Sequence, residues 1–307
     1  MCWTLRRVFA LECLKDNVLF KGGTALSKVH KLIERFSEDA DLSIHCASLG
    51  FAENADLVNP KLPNKGRRKP SDALKEAAQQ KVAEEVQPEF DLLRVAELRG
   101  SGWSLEMDTT DADAQSLKFV YPLSGITLAP NASLPPSVKI ECGARSDHWP
   151  ASTKTMTPYL SEVLAGEFED PRVVVKAMDA TLTFREKATI LHQMAHLPEA
   201  KTFTARYSRH DCDLANMIDA GVDDAAARDA DLLAAVVQHE MTFDRSAWTS
   251  DETAARGTLQ LIANGRRLAE LATDLTSMQE MFFNGVPRFE DVVETLREWQ
   301  DHFNQTD

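Results

Sequence analysis

Two periods of apolar residues divide this chain. Up to about residue 180, short runs with strand-like patterning interrupt helical stretches; from Thr181 to the end the spacing is almost entirely helical. Residues 4–15 (TLRRVFALECLK) read as an amphipathic helix. Residues 17–20 (NVLF) predict a short buried strand that ends at Gly22. Leu26, Val29 and Ile33 then recur at i, i+3 and i+7, which predicts a helix with Thr24 as its N-cap. Residues 41–46 (DLSIHC) read as a second strand, so the order is strand, glycine turn, helix, strand.

Residues 50–80 are polar, and Lys61, Lys65, Arg67, Arg68 and Lys69 between Pro60 and Pro70 predict a loop with a basic tip. Residues 71–98 read as helix. Residues 103–109, 116–123, 137–144 and 172–178 read as strands separated by turn-rich segments. The fold class expected is α+β: a mixed sheet with flanking helices over residues 1–165, then a mostly helical domain over 166–307. No internal repeat or low-complexity segment interrupts this layout.

Composition narrows the class. Hydrophobic content of 43% and charged content of 27% are ordinary for a globular protein, and no apolar run approaches a membrane span. Five cysteines without a CxxC pair argue against a disulfide framework and for a reducing, cytoplasmic setting. A net charge of −14 excludes general attraction to nucleic acid, leaving only local basic patches for such contacts.

The densest chemistry lies in FKGGTALSKVHKLIERFSEDADLSI, residues 20–44. Side chains two apart on a strand share a face, so Asp39 and Asp41 at the start of the second strand would present two carboxylates together. Like charges so placed call for a cation, and hard oxygen ligands favour Mg²⁺, which usually keeps waters and meets substrate phosphates. Gly22 and Gly23 precede a helix start, where unpaired N–H groups can face an anion. Ser37 adds a hydroxyl two residues before Asp39.

These residues resemble the first motif of the AbiEii/AbiGii-type nucleotidyltransferases, toxins of bacterial toxin–antitoxin and abortive-infection (phage-defence) systems related to the DNA polymerase β superfamily. The glycine pair, Arg35, Ser37, Asp39 and Asp41 fit that pattern. The resemblance implies a nucleotidyltransferase-like sheet and transfer of a nucleoside monophosphate from an NTP, with Mg²⁺ (or Mn²⁺) as cofactor. Gly22, Gly23, Thr24 and Ser37 would hold the nucleotide. Superfamily sites need a third carboxylate from a neighbouring strand. In VKIECGA, Val138, Ile140 and Cys142 face one side and Lys139 and Glu141 the other, so Glu141 is expected to join Asp39 and Asp41 as a metal ligand.

Residues 181–218 resemble the family's downstream motif, E-K-A on a helix and then R-H-x-x-D-L. By that match Lys187 would contact the triphosphate, Asp213 would orient Lys187, and Arg209 would bind nucleotide. Arg206, Tyr207 and His210 are candidates for nucleotide or acceptor contacts. Asp211 and Cys212 stand where the family often has an aromatic residue. HQMAH has the i, i+4 histidine spacing of a zinc helix, but Gln193 occupies the place of the metalloprotease glutamate, which favours helix packing for His192 and His196.

The resemblance runs from about Trp3 to Asn304, with Met278, Met281, Phe282 and Phe283 expected in packing contacts. WTLRRVFAL resembles the middle of a stretch that relatives begin further upstream, so Met1 is expected to be an internal start. The implied acceptor is the tRNA 3′ end, with a protein or a small molecule as alternatives; the implied partner is a cognate antitoxin encoded nearby. Some relatives are silenced by phosphorylation at the motif serine, which here is Ser37. A nucleotide-binding protein with little catalysis is a reading of another class; against it, no carboxylate of the pattern is missing.

Overall fold

The computed structural model describes residues 1–51, 64–123, 125, 135–144, 150–164, 166–227, 233–234, 236–237 and 250–305. The chain divides into two units, Met1–Val29 with Glu38–Met178, and His30–Ser37 with Asp179–Asp307. The first unit therefore runs past the expected boundary at 165. The short segment between the glycines and the carboxylates of the first motif is counted with the second unit.

The first unit is built on a seven-stranded mixed sheet in the order β3-β4-β5-β2-β1-β7-β6. Its strands are β1 Val18–Lys21, β2 Asp39–Ile44, β3 Ser104–Met107, β4 Ser116–Val120, β5 Ser137–Gly143, β6 Ala151–Met156 and β7 Val173–Met178. β1 lies antiparallel to β2 and parallel to β7, and β2 lies parallel to β5. Helix α1 (Cys2–Val8) precedes β1. The helical stretch expected over 71–98 is two helices, α3 (Asn64–Lys81) and α4 (Gln87–Glu97), joined through a π-helical turn Val82–Val86. Of the basic stretch read as a loop, Lys61 lies outside the described residues, and 64–69 belong to the first turns of α3.

Alternation does what the pattern requires on β5, where Val138, Ile140 and Cys142 are buried while Lys139 and Glu141 are half-exposed. The buried side is closed by aromatic packing: Trp3 stacks on Phe119 at 5.3 Å, and Phe90 of α4 meets both edge-on. β6 was not expected from the sequence. It is an edge strand whose ASTKTM shows no apolar alternation, and only its pairing with β7 reveals it.

The helix expected from Thr24 onward differs in both bounds. It starts earlier, as α2 (Gly22–Ala25) with Lys21 as N-cap, and continues as a π-helical turn Leu26–His30. Lys31 then takes φ 55°, which ends the helix, and Arg35 forms an antiparallel bridge with Phe282. Ile33 is still buried, but as part of an irregular segment. Backbone bonds Phe36 N–H to Met281 O (2.6 Å) and Phe283 N–H to Glu34 O (3.2 Å) flank that bridge within the second unit.

The second unit is helical: α5 (Tyr159–Val163) closes the helices of the first unit, and α6 (Ala180–Ala195), α7 (Arg209–Asp219), α8 (Val222–Ala227), α9 (Arg266–Ser277) and α10 (Phe289–Gln305) follow. Asp179 caps α6 by accepting from Thr181 N–H at 3.0 Å. Phe184 of α6 meets Trp299 edge-on, and Trp299 stacks on Phe303 of α10. Met278 and Met281 are buried as expected, whereas Phe283 is exposed. Among the described residues no helix is long and apolar enough to cross a membrane.

Candidate active site

Strand β1 delivers the chain to Lys21, and Gly22 turns it at φ 74° directly into α2. The antiparallel register pairs Lys21 with Asp41, so β2 returns its carboxylate to the turn. A methyl group at Gly22 would lie 1.8 Å from Asp41 Oδ2. Glycine is thus required twice at this position, for its backbone angle and because the Asp41 carboxylate occupies the space a Cβ would take. Thr24 ties the two halves of the motif together: it is buried in α2, and its Oγ1 donates to Asp39 O at 2.6 Å. Thr24 is therefore a brace rather than the N-cap.

Asp39 and Asp41 are half-exposed on one face of β2, with Ala40 and Leu42 buried on the other. The parallel register sets Lys139 beside Asp39 and Glu141 beside Asp41. Glu141 accepts from Lys139 Nζ at 2.5 Å, and Asp108 Oδ2 lies 3.9 Å from the same ammonium. Burial alone would lower Lys139, but Glu141, Asp39 and Asp108 hold its pKa above the ordinary value. Thr110 donates to Asp108 through N–H and Oγ1, and with some offset from burial this lowers the Asp108 carboxyl.

The Asp39/Asp41 pair beside a glycine cradle suits a hard divalent cation in donor chemistry. Glu141, the expected third ligand, is engaged by Lys139 at 2.5 Å in this structure, and among the described residues no group of three or more His, Cys, Asp or Glu side chains is arranged to hold a metal.

The second unit carries the other predicted residues in a buried charge cluster. Arg35 forks onto Asp213, Nε to Oδ1 and a terminal nitrogen to Oδ2, both at 2.7 Å. Lys187 Nζ reaches Asp213 Oδ2 at 2.8 Å and His210 Nδ1 at 3.3 Å. Arg35, Lys187 and Asp213 are all nearly inaccessible. Burial pushes Asp213 upward, but Arg35 and Lys187 overcome it and hold the carboxyl well below the usual range. Burial lowers Lys187, with Asp213 opposing, and burial followed by the Lys187 and Arg209 charges depresses His210 strongly. The His210 ring and the Lys187 amine share the 3.3 Å contact at Nδ1.

Asp213 contacts Lys187, the residue it was expected to orient. The bidentate Arg35 is the partner that sequence reading did not supply for it, 178 positions away in the chain. Tyr207 donates to Ile190 O at 2.9 Å, and Arg206 holds φ 64° with its N–H on Asp274 Oδ1. Ser37 and Arg209 are half-exposed.

The histidine pair of HQMAH is accounted for without zinc. His192 accepts from Gln260 N–H at Nδ1, and its Nε2 faces Ser250 O and Thr253 Oγ1. His196 Nδ1 bonds His192 O.

A family model described as nucleotidyl transferase AbiEii toxin, type IV TA system, matches residues 3–296. Among solved structures, MenT4, a nucleotidyltransferase toxin from Mycobacterium tuberculosis H37Rv, has a similar fold. Its TM-score is 0.51 at 15% sequence identity, over 99% of this chain and 82% of that one. No curated protein matches. Coverage of nearly the whole chain by that model, with the motif glycines and carboxylates in one turn-and-strand unit, places the chain in the AbiEii family of nucleotidyltransferase toxins of type IV toxin–antitoxin systems.

Proposed function

We propose that this enzyme transfers a nucleoside monophosphate from an NTP to the 3′ end of tRNA, with Mg²⁺, or Mn²⁺ in its place, held by Asp39 and Asp41. The observation that carries the reading is the placement of the two carboxylates on one face of β2, with Asp41 packed against the Gly22 turn. Mg²⁺, when bound, supplies the positive charge that activates the acceptor oxygen and steadies the leaving pyrophosphate. Gly22 and Gly23 keep side chains away from the backbone that would face the phosphates, and Thr24 fixes the turn against β2. Ser37, two residues before Asp39, supplies a hydroxyl to the same triphosphate. In the second unit, Asp213 meets Lys187 Nζ at 2.8 Å while Arg35 forks onto the same carboxylate, so the three form one buried charge cluster. Lys187 and Arg209 are assigned to the nucleotide by family resemblance.

The choice of RNA as acceptor rests on the same resemblance. The acidic balance of −14 means that RNA would be gripped locally rather than drawn in by the molecule as a whole. Five free cysteines fit a reducing cytoplasm, where NTPs and tRNA are found. A cognate antitoxin accompanies toxins of this family.

Incubation with α-labelled NTPs, total RNA and cell protein tests the reading. Label in a tRNA-sized band is expected; label only in protein, or only in a small molecule, moves the acceptor to that class.

A further inference from the structure

We propose that Lys139 contacts the phosphates of the bound nucleotide, and that Glu141 acts as its positioning carboxylate rather than as a metal ligand. The inference rests on the proposed nucleotide site and adds a residue to it.

The sheet register sets up the arrangement. Across β2 and β5, Asp39 faces Lys139 and Asp41 faces Glu141, all on the polar side of the sheet. Lys139 is the one cation in this square of four. It is held from two directions, by Glu141 Oε1 at 2.5 Å and by Asp108 Oδ2 at 3.9 Å. Asp108 is itself fixed by both donors of Thr110, so the clamp is built and not incidental. The Lys139 side chain remains 33% exposed, enough for its ammonium to meet a ligand lying on the face.

A second lysine strengthens the case. β4 pairs Lys118 directly opposite Lys139 on the same face. Glu106 opposite Lys118, and Glu141, Asp39 and Asp108 around Lys139, counter these two charges, and a metal-bound polyphosphate lying on the face would meet both ammonium groups.

The charges also sort the roles. Glu141 is committed to the Lys139 ammonium at 2.5 Å, and among the described residues no group of three or more His, Cys, Asp or Glu side chains is arranged to hold a metal. A triphosphate, in contrast, brings more negative charge than one divalent ion on two carboxylates can balance. Lysine suits it, as a compact point charge with three donors.

Inorganic tripolyphosphate with Mg²⁺ reads the phosphate site without a choice of base, and Mn²⁺ titration by electron paramagnetic resonance reads the metal site directly. Both are run on the full chain. In Lys139→Met, tripolyphosphate affinity is expected to fall about tenfold or more while Mn²⁺ affinity stays equal or tightens. Lys139→Arg should recover most of the phosphate affinity. Glu141→Gln should weaken tripolyphosphate several-fold and leave Mn²⁺ within about twofold.

A tenfold loss of Mn²⁺ affinity in Glu141→Gln would restore Glu141 to the metal set and overturn the assignment. Unchanged tripolyphosphate binding in Lys139→Met would reduce the pair to a strand-face salt bridge. Asp41→Asn separates the two levels of argument: if it alters neither probe, the underlying nucleotide site is wrong, whatever Lys139 does.

Discussion

Replacing Gly22 with alanine perturbs one point where backbone and chemistry meet. The added Cβ would sit 1.8 Å from Asp41 Oδ2, whereas real Cβ contacts essentially never fall under 3.0 Å. The carboxylate must therefore shift by more than about an ångström, a displacement that costs on the order of 100-fold in rate when it affects a reacting group. The backbone adds its own strain, since φ 74° costs a non-glycine residue about 1–2 kcal/mol. Gly22→Ala is thus expected to fold with a modestly lowered Tm, to bind Mn²⁺ weakly and to transfer label at about 1% of the wild-type rate. Thermal unfolding, Mn²⁺ titration and the labelled-NTP assay measure the three effects separately. Wild-type Mn²⁺ affinity with activity within threefold of wild type would refute the claim that Asp41 works from that position.

The buried cluster makes a stability prediction. Asp213→Ala leaves Arg35 and Lys187 buried without their shared anion and should cost about 3–5 kcal/mol, lowering Tm by on the order of 10 °C; a change under 2 °C would contradict it. Asp211 gives a pH signature. It is buried with Oδ2 lacking a hydrogen-bond partner, and burial, aided by Asp274, raises its carboxyl from 3.8 to about 7. The folded state then holds the proton more tightly than the unfolded chain, so stability falls as pH rises from about 4 to 7 and is flat above. Asp211→Asn should stabilise the protein by as much as about 4 kcal/mol at pH 8 and by almost nothing near pH 4, read from melting curves across that range. Asp213 acts in the opposite sense, with its stabilisation present above about pH 4 and lost under strong acid. Chelation by EDTA should abolish label transfer, and added Mg²⁺ or Mn²⁺ should restore it. Cys142, whose thiol burial raises to about 12, should resist thiol reagents until the protein unfolds.

Local patterning made the first motif readable. The apolar run before Gly22, the glycine turn and the same-face carboxylates of β2 follow from strand periodicity and turn chemistry; β1 lies within a residue of the expected 17–20, while β2 starts at Asp39 and ends at Ile44 rather than spanning 41–46. Non-local pairing hid the rest. Leu26, Val29 and Ile33 have helical spacing, but 34–36 is drawn out to pair with 281–283, and nothing near Arg35 in sequence signals that partner. The Arg35–Asp213 fork is equally distant. β6 lacked an apolar face because it is an edge strand paired only with β7. The Lys139–Glu141 pair did leave a signal, since opposite charges two apart on one strand share a face.

The central claim is that Asp39 and Asp41 drive nucleotidyl transfer. Its most direct measurement is label transfer from α-labelled NTPs to total RNA by the wild type and by the folded double variant Asp39→Ala with Asp41→Ala. The account predicts label in tRNA from the wild type and background from the variant with its melting transition intact; transfer by the double variant at the wild-type rate would contradict it.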